Sequence, residues 1–262
     1  MSTAADTFAA ESRAAGPRPT QKFGRIVIVG GGCYGSYYVR QLGRAHRAGA
    51  VDWEELVVVD RDPACAVGQP SAELPPRTRL VVAEWSDYFD RYLAQAIGDH
   101  ARRRDAIVPS PLMPHLMADW LAERARRRWP DRRVRIEPLL TAPEVPWQRG
   151  GDDGTHYVSF AEWMCPINCI EPARCPHTGG ARTWSLPIAV REYADAERGS
   201  GRPIEPLVFH CTHRAYGVGM IDVADIVDAD AAIAAGASRG AAVFLIGTVS
   251  HCHGALRRLA IG

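Results

Sequence analysis

RIVIVGGGCYGS, residues 25–36, is the stretch on which the architecture of this chain turns. Ile26–Val29 is an unbroken β-branched run, as in a strand buried on both faces. Gly30, Gly32 and Gly35 follow at once in the spacing Gly-x-Gly-x-x-Gly, and YYVRQLGRAHRAG then reads as a helix. The first glycine allows a tight turn, the second lets bare backbone approach a ligand, and the third lets the helix pack closely on the strand. A helix that starts there aims its free N–H groups and positive dipole end at an anionic group. Working outward, LVVVD at 56–60 is a second strand ending in an acid, and DWEE at 52–55 accounts for the extra length between Gly35 and Asp60.

The alternation goes on. RLVVA (79–83), DAIV (105–108) and residues 133–138 read as strands, with helices over 85–97 and 115–128 and a Pro-rich loop over 63–78. Strands and helices in turn predict an α/β fold with a doubly wound, mostly parallel sheet. The pattern changes after residue 140. A Pro/Gly-rich excursion (141–155) leads into a cysteine-rich segment (160–178), and a further Gly/Pro loop covers 199–206. LVFH (207–210) and AAVFLIGT (241–248) read as strands, 221–235 as a helix and 254–260 as a short closing helix. The expected division is a disordered tail over 1–22, a unit over 23–140, and a Cys/His-rich part over 141–262 that is separate or completes the same sheet.

Residues 23–140 resemble the large NAD(P)-binding Rossmann superfamily through the strand, the glycine turn, the helix and the acid-ended strand. The resemblance implies NAD or NADP bound by Gly30, Gly32, Cys33, Tyr34 and Gly35, with Asp60 on a ribose hydroxyl pair. Arg61 beside it can instead take a 2′-phosphate, which keeps NADP open. It implies no particular substrate.

EWMCPINCIEPARCPHTGG places Cys165, Cys169 and Cys175 within eleven residues, spaced C-x3-C-x5-C. No secretion signal accompanies the seven cysteines, so metal or redox chemistry in a reducing cytoplasm is expected rather than a disulfide framework. Cys-Pro pairs bend a chain away from a cluster, which favours iron–sulfur, with zinc as the alternative. The spacing departs from the standard patterns of both. FHCTH (209–213) and TVSHCHG (248–254) end two strands and offer Cys211 or Cys252 as a fourth ligand. His177, His210, His213, His251 and His253, five of the nine histidines, fall in or beside these stretches as ligands or proton relays. If the two strands are parallel neighbours, both loops share one sheet edge. The loop PSPLMPH (109–115) is rigid and suited to cover a nicotinamide ring, with His115 as a candidate proton donor.

Net charge is +1, and acids interrupt the arginine runs at 102–104, 126–128 and 132–133. Those runs read as solvated helix faces, not a nucleic-acid patch. No apolar run of about 18 residues occurs, so no membrane span is expected. The sequence thus points to a cytoplasmic NAD(P)-binding redox protein or oxidoreductase with a cysteine-ligated metal centre. Its partner would be a small-molecule substrate or an electron-transfer protein, and a homodimer is left open. The alternative is a non-catalytic nucleotide-sensing module with structural zinc, of the potassium-channel regulatory type.

Overall fold

The computed structural model describes residues 19–163, 165 and 169–262. Most of the expected tail, residues 1–18, lies outside them, as do positions 164 and 166–168 of the cysteine segment. The chain is α/β, and the described residues form five α-helices and two mixed sheets.

In the first sheet β1 (Gln21–Val29), β2 (Val51–Asp60), β3 (Thr78–Val82) and β4 (Ala106–Val108) are parallel, in the order β3-β2-β1-β4. Beyond β4 the sheet changes character. Two strands from the second half, β9 (Thr212–Ala215) and β10 (Val218–Asp222), extend it antiparallel as β4-β10-β9. Tyr216 and Gly217, at φ 49° and 79°, form the two-residue turn between them, the left-handed pair that matches strand twist in a tight hairpin.

The remaining strands build a second sheet: β5 (Val134–Glu137), β6 (Trp147–Gly150), β7 (His156–Ser159), β8 (Glu205–His210), β11 (Ala242–Val249) and β12 (His253–Ile261). Its order is β6-β7-β12-β11-β8, with β5 pairing the far end of β12. Residues 254–260, expected as a helix, are therefore the central strand of a sheet. The linker expected over 141–155 holds β6.

Helix α1 (Cys33–Arg47) covers one face of the first sheet, setting Val39, Leu42 and Ala45 against Ile26, Ile28, Leu56 and Val58. The opposite face, with Val27, Val29, Val57 and Val59, meets α2 (Trp85–Gly98), α3 (Leu116–Arg128) and α5 (Val223–Ser238). The same three helices bury Phe209, Phe244, Ile246, Leu259 and Ile261 of the second sheet. On that sheet's outer face α4 (Leu186–Gly199) packs Leu186, Val190 and Ala194 on Leu245 and Leu256. The result is helix, sheet, helices, sheet, helix. Each fully buried aliphatic side chain contributes about 1.5–3 kcal/mol to holding these layers together.

The arginine runs are not simply solvated. Arg103 pairs with Asp228, Arg104 with Glu54 and Arg127 with Asp90, while Arg124 and Arg128 share the buried Asp230. Arg132 donates to the carbonyls of Ala237 and Gly240, closing the end of α5. The runs tie the middle helices to one another and to their neighbours.

Candidate functional site

The glycine turn is built as its spacing demands. Gly30 has φ +86°, a conformation that side chains disfavour. A Cβ on Gly35 would be driven into the carbonyl oxygen of Gly30. A Cβ on Gly32 would meet nothing within 4 Å, so the space beside it is open. Asp60 Oδ2 accepts the Gly31 N–H at 2.7 Å and Oδ1 accepts the Asp62 N–H at 2.9 Å. The segment after Asp60, expected as plain loop, folds back onto the turn: Val67 N–H donates to Gly31 O, and Cys65 packs against Gly31. Cys33, Tyr34 and Arg61 are exposed beside it. Helix α1 starts with no side-chain cap, which leaves its first N–H groups open.

The chain leaves β1 toward one face of the first sheet and leaves β4 toward the other, although the two strands are neighbours. Diverging connections open a crevice at the carboxyl edge, where α/β sheets bind ligands. Across it, β8 and β11 run parallel, so the FHCTH and SHCH loops do share one edge. Two adjoining cavities of about 580 and 300 Å³ lie there, both lined by Tyr157, Cys211, His213, Ser250, His253 and Gly254. The larger reaches Cys165, Cys169 and Glu171, and the smaller reaches Tyr38 of α1 and Pro109–Pro111. Among the described residues no lysine or arginine lines either one. His115 does not line them. It precedes α3, with Nε2 3.7 Å from Asp119, which itself pairs with Arg257 of β12.

Glu171, not anticipated from the sequence, organises the cysteine segment. It is buried at φ +50°. Its Oε1 accepts the Ser250 hydroxyl at 2.6 Å and the Cys252 N–H at 3.0 Å, and its Oε2 accepts the His251 N–H at 2.8 Å and lies 3.9 Å from His213 Nδ1. Burial alone would raise its pKa. The bonds from Ser250, His251 and Cys252, together with His213 nearby, outweigh burial and hold the carboxyl below its ordinary range.

Around this carboxylate the thiols differ. The backbone N–H groups of Thr178 and His177 point at Cys175 and hold its pKa below the usual thiol range. Burial raises that of Cys165, with Cys169 and Cys175 as neighbours that add to the rise. Cys252 is pushed up to about 12 by burial. Trp184 Nε1 donates to its sulfur at 3.3 Å, and Cys165 is among its charged neighbours. Cys211 is also pushed up to about 12 by burial, but its charged neighbours are Glu171 and Arg214, and it in turn acts on Tyr38. His177 stacks on Trp163 at 4.6 Å, and His210 meets His251 edge-on at 4.7 Å. Among the described residues no group of three or more His, Cys, Asp or Glu side chains is placed to hold a metal ion.

One family model matches, over residues 117–262: AF_1314_C, described as "Uncharacterized protein, C-terminal domain". The chain belongs to this family. No curated protein and no solved structure matches it. The AF_1314_C region carries the whole second sheet, the β9–β10 hairpin, Glu171 and every Cys and His that lines the two cavities. The glycine turn, Tyr38 and the 109–115 loop precede it, so the cleft is made jointly by the AF_1314_C region and the segment before it. No helix among the described residues is long and apolar enough to cross a membrane.

Proposed function

We propose that residues 23–140 form a Rossmann-type unit that binds NAD or NADP on the Gly30–Gly35 turn, and that the protein is an oxidoreductase whose small-molecule partner enters the adjoining cleft. The observation that carries this reading is the open space beside Gly32, at the start of an uncapped helix and at a crevice between diverging connections. Helix N–H groups there suit a pyrophosphate. Asp60 is already fixed against Gly31, and each of its oxygens keeps a lone pair for a ribose hydroxyl. Arg61, exposed, suits a 2′-phosphate. When bound, the dinucleotide supplies hydride chemistry. The chain's own part is to fix the ring against the Pro109–Pro111 stretch and to present the cleft's neutral polar groups. Gly32→Asp is expected to abolish NAD(P)H binding in calorimetry while leaving the melting temperature unchanged, since its Cβ meets nothing within 4 Å. Unaltered affinity would count against the turn as the binding site.

The cysteine segment is proposed as a ligand loop for a metal centre, iron–sulfur or zinc. The two N–H groups turned on Cys175 are the stabilisation that a thiolate ligand needs. As placed, the described thiols do not form a ready metal site. Cys165 has Cys169 and Cys175 as neighbours. For a fourth ligand, Cys252 has Cys165 among its neighbours, while Cys211 lines the larger cavity together with Cys165 and Cys169. Anaerobically purified protein is expected to show visible absorbance that dithionite bleaches. Of Cys252→Ser and Cys211→Ser, the variant that loses the metal by elemental analysis identifies the fourth ligand, and Cys169→Ser should lose it in either case. Retention in Cys252→Ser would remove that residue from the ligand set, and a colourless protein holding zinc would favour the regulatory alternative.

A further inference from the structure

A cavity of about 900 Å³, larger than either part of the cleft, opens at the other end of the second sheet. Ile204, Val243 and Phe244, at the starts of β8 and β11, form its floor, and the ends of α4 and α5 form its walls. Glu205 in its wall and Cys211 in the cleft are six residues apart along extended chain, about 20 Å. Hydrogen bonds hold the α4 wall in place. Arg202 donates to both carboxylate oxygens of Glu197, at 2.9 and 2.7 Å. Thr141 donates to Glu197 at 3.2 Å, and Tyr193 donates to the carbonyl oxygen of Thr141 at 2.9 Å. Leu140, exposed, adds an apolar rim.

Charge sets the ligand class. Among the described residues four arginines and three glutamates line the cavity. Arg258 is paired with Glu137, Arg202 with Glu197 and Arg198 with Asp195. Arg239 and Glu205 remain, and neither forms an ion pair with another described residue. The two flank one spot. A Cβ on Gly236 would lie 3.6 Å from Glu205 Oε2, and Arg239 follows Gly236 by three residues at the end of α5, the spacing that makes helix residues neighbours. One positive and one negative group thus stand over an apolar floor. We propose that this cavity binds a small zwitterion with an apolar side chain, an α-amino acid, whose carboxylate meets Arg239 and whose ammonium meets Glu205. A ligand with a single charge would leave the other protein charge without a partner as the cavity fills, which costs affinity. The apolar side chain lies on Ile204, Val243 and Phe244. The site is separate from the glycine turn and from the cysteine segment, and it does not depend on what either of them binds.

Phenylalanine, phenethylamine and hydrocinnamate share one apolar body and carry both charges, the positive charge alone and the negative charge alone. Calorimetry with the unmodified protein is expected to show phenylalanine binding about ten-fold tighter than either of the others. Arg239→Gln should remove its advantage over phenethylamine, and Glu205→Gln should remove its advantage over hydrocinnamate. Neither side chain is fully buried, so both variants should melt close to the parent protein. No binding of phenylalanine, equal binding of the three compounds, or an unchanged preference in either variant overturns the proposal. Gly32→Asp should leave phenylalanine binding as it is, and loss of binding there would overturn the separation of the two sites.

Discussion

Gly35→Ala is expected to destabilise the protein by about 3 kcal/mol or more, whereas Gly32→Ala should cost less than about 1 kcal/mol. The two glycines lie three residues apart at the same turn, and the substitution is the same. Both gain equally from the reduced freedom of the unfolded chain. Only the added methyl group's surroundings differ. At position 35 it collides with the backbone oxygen of Gly30, which cannot swing aside as a side chain can. At position 32, where φ is −77°, it stands clear. Urea midpoints for the two variants measure the difference directly. Equal midpoints would mean that close approach of helix to strand is not what reserves position 35 for glycine.

Glu171→Ala is expected to cost about 3–5 kcal/mol, since each buried donor left without an acceptor costs about 1–3 kcal/mol. Two backbone N–H groups and the Ser250 hydroxyl lose their acceptor together. The contact between the cysteine segment and the 250–253 loop goes with them. Thiol-reagent kinetics should therefore show faster modification of Cys252, now buried, alongside the lower denaturation midpoint. Glu171→Gln keeps the shape and one accepting oxygen but turns an amide donor toward N–H groups, so an intermediate loss is expected. A variant as stable as the parent, with Cys252 still protected, would show that other contacts seat the segment.

The parallel part of the first sheet was legible because its signals are local, whereas the β9–β10 hairpin that extends it was not anticipated and the strand expected over 133–138 went to the second sheet. Ile26–Val29 and Leu56–Val59 are unbroken apolar runs, and the three glycines mark the turn between strand and helix. The second sheet was less so. In GALRRLAI the apolar residues at 255, 256, 259 and 260 keep helical spacing, while Arg257 interrupts the alternation of a strand. Arg257 in fact faces inward and is buried, paired with Asp119 of α3 and with Asp153. Nothing within the segment announces partners more than a hundred residues away. Helix α4 did carry a signal, Ser185 ahead of a proline in the first turn. For the site, the pairing of the two Cys/His loops followed from their strands, since both end at one edge. Glu171 sits inside the cysteine motif, but its role depends on the 250–253 loop folding over it, which no spacing reveals. His115 looked suited to proton transfer because it follows the Pro-rich loop, yet the start of α3 draws it toward Asp119.

Strand β12 has a consequence for how the molecule is made. It is the hub of its sheet, bonded to β5, β7 and β11. A ribosome releases those three before it releases residues 253–261. Until then β5 and β7 have no hub to join, and one edge of β11 waits unpaired, the kind of exposure that recruits chaperones. Half of the molecule thus stays unassembled in the nascent chain, and a stall just short of residue 253 would yield a species prone to aggregate rather than a smaller working protein.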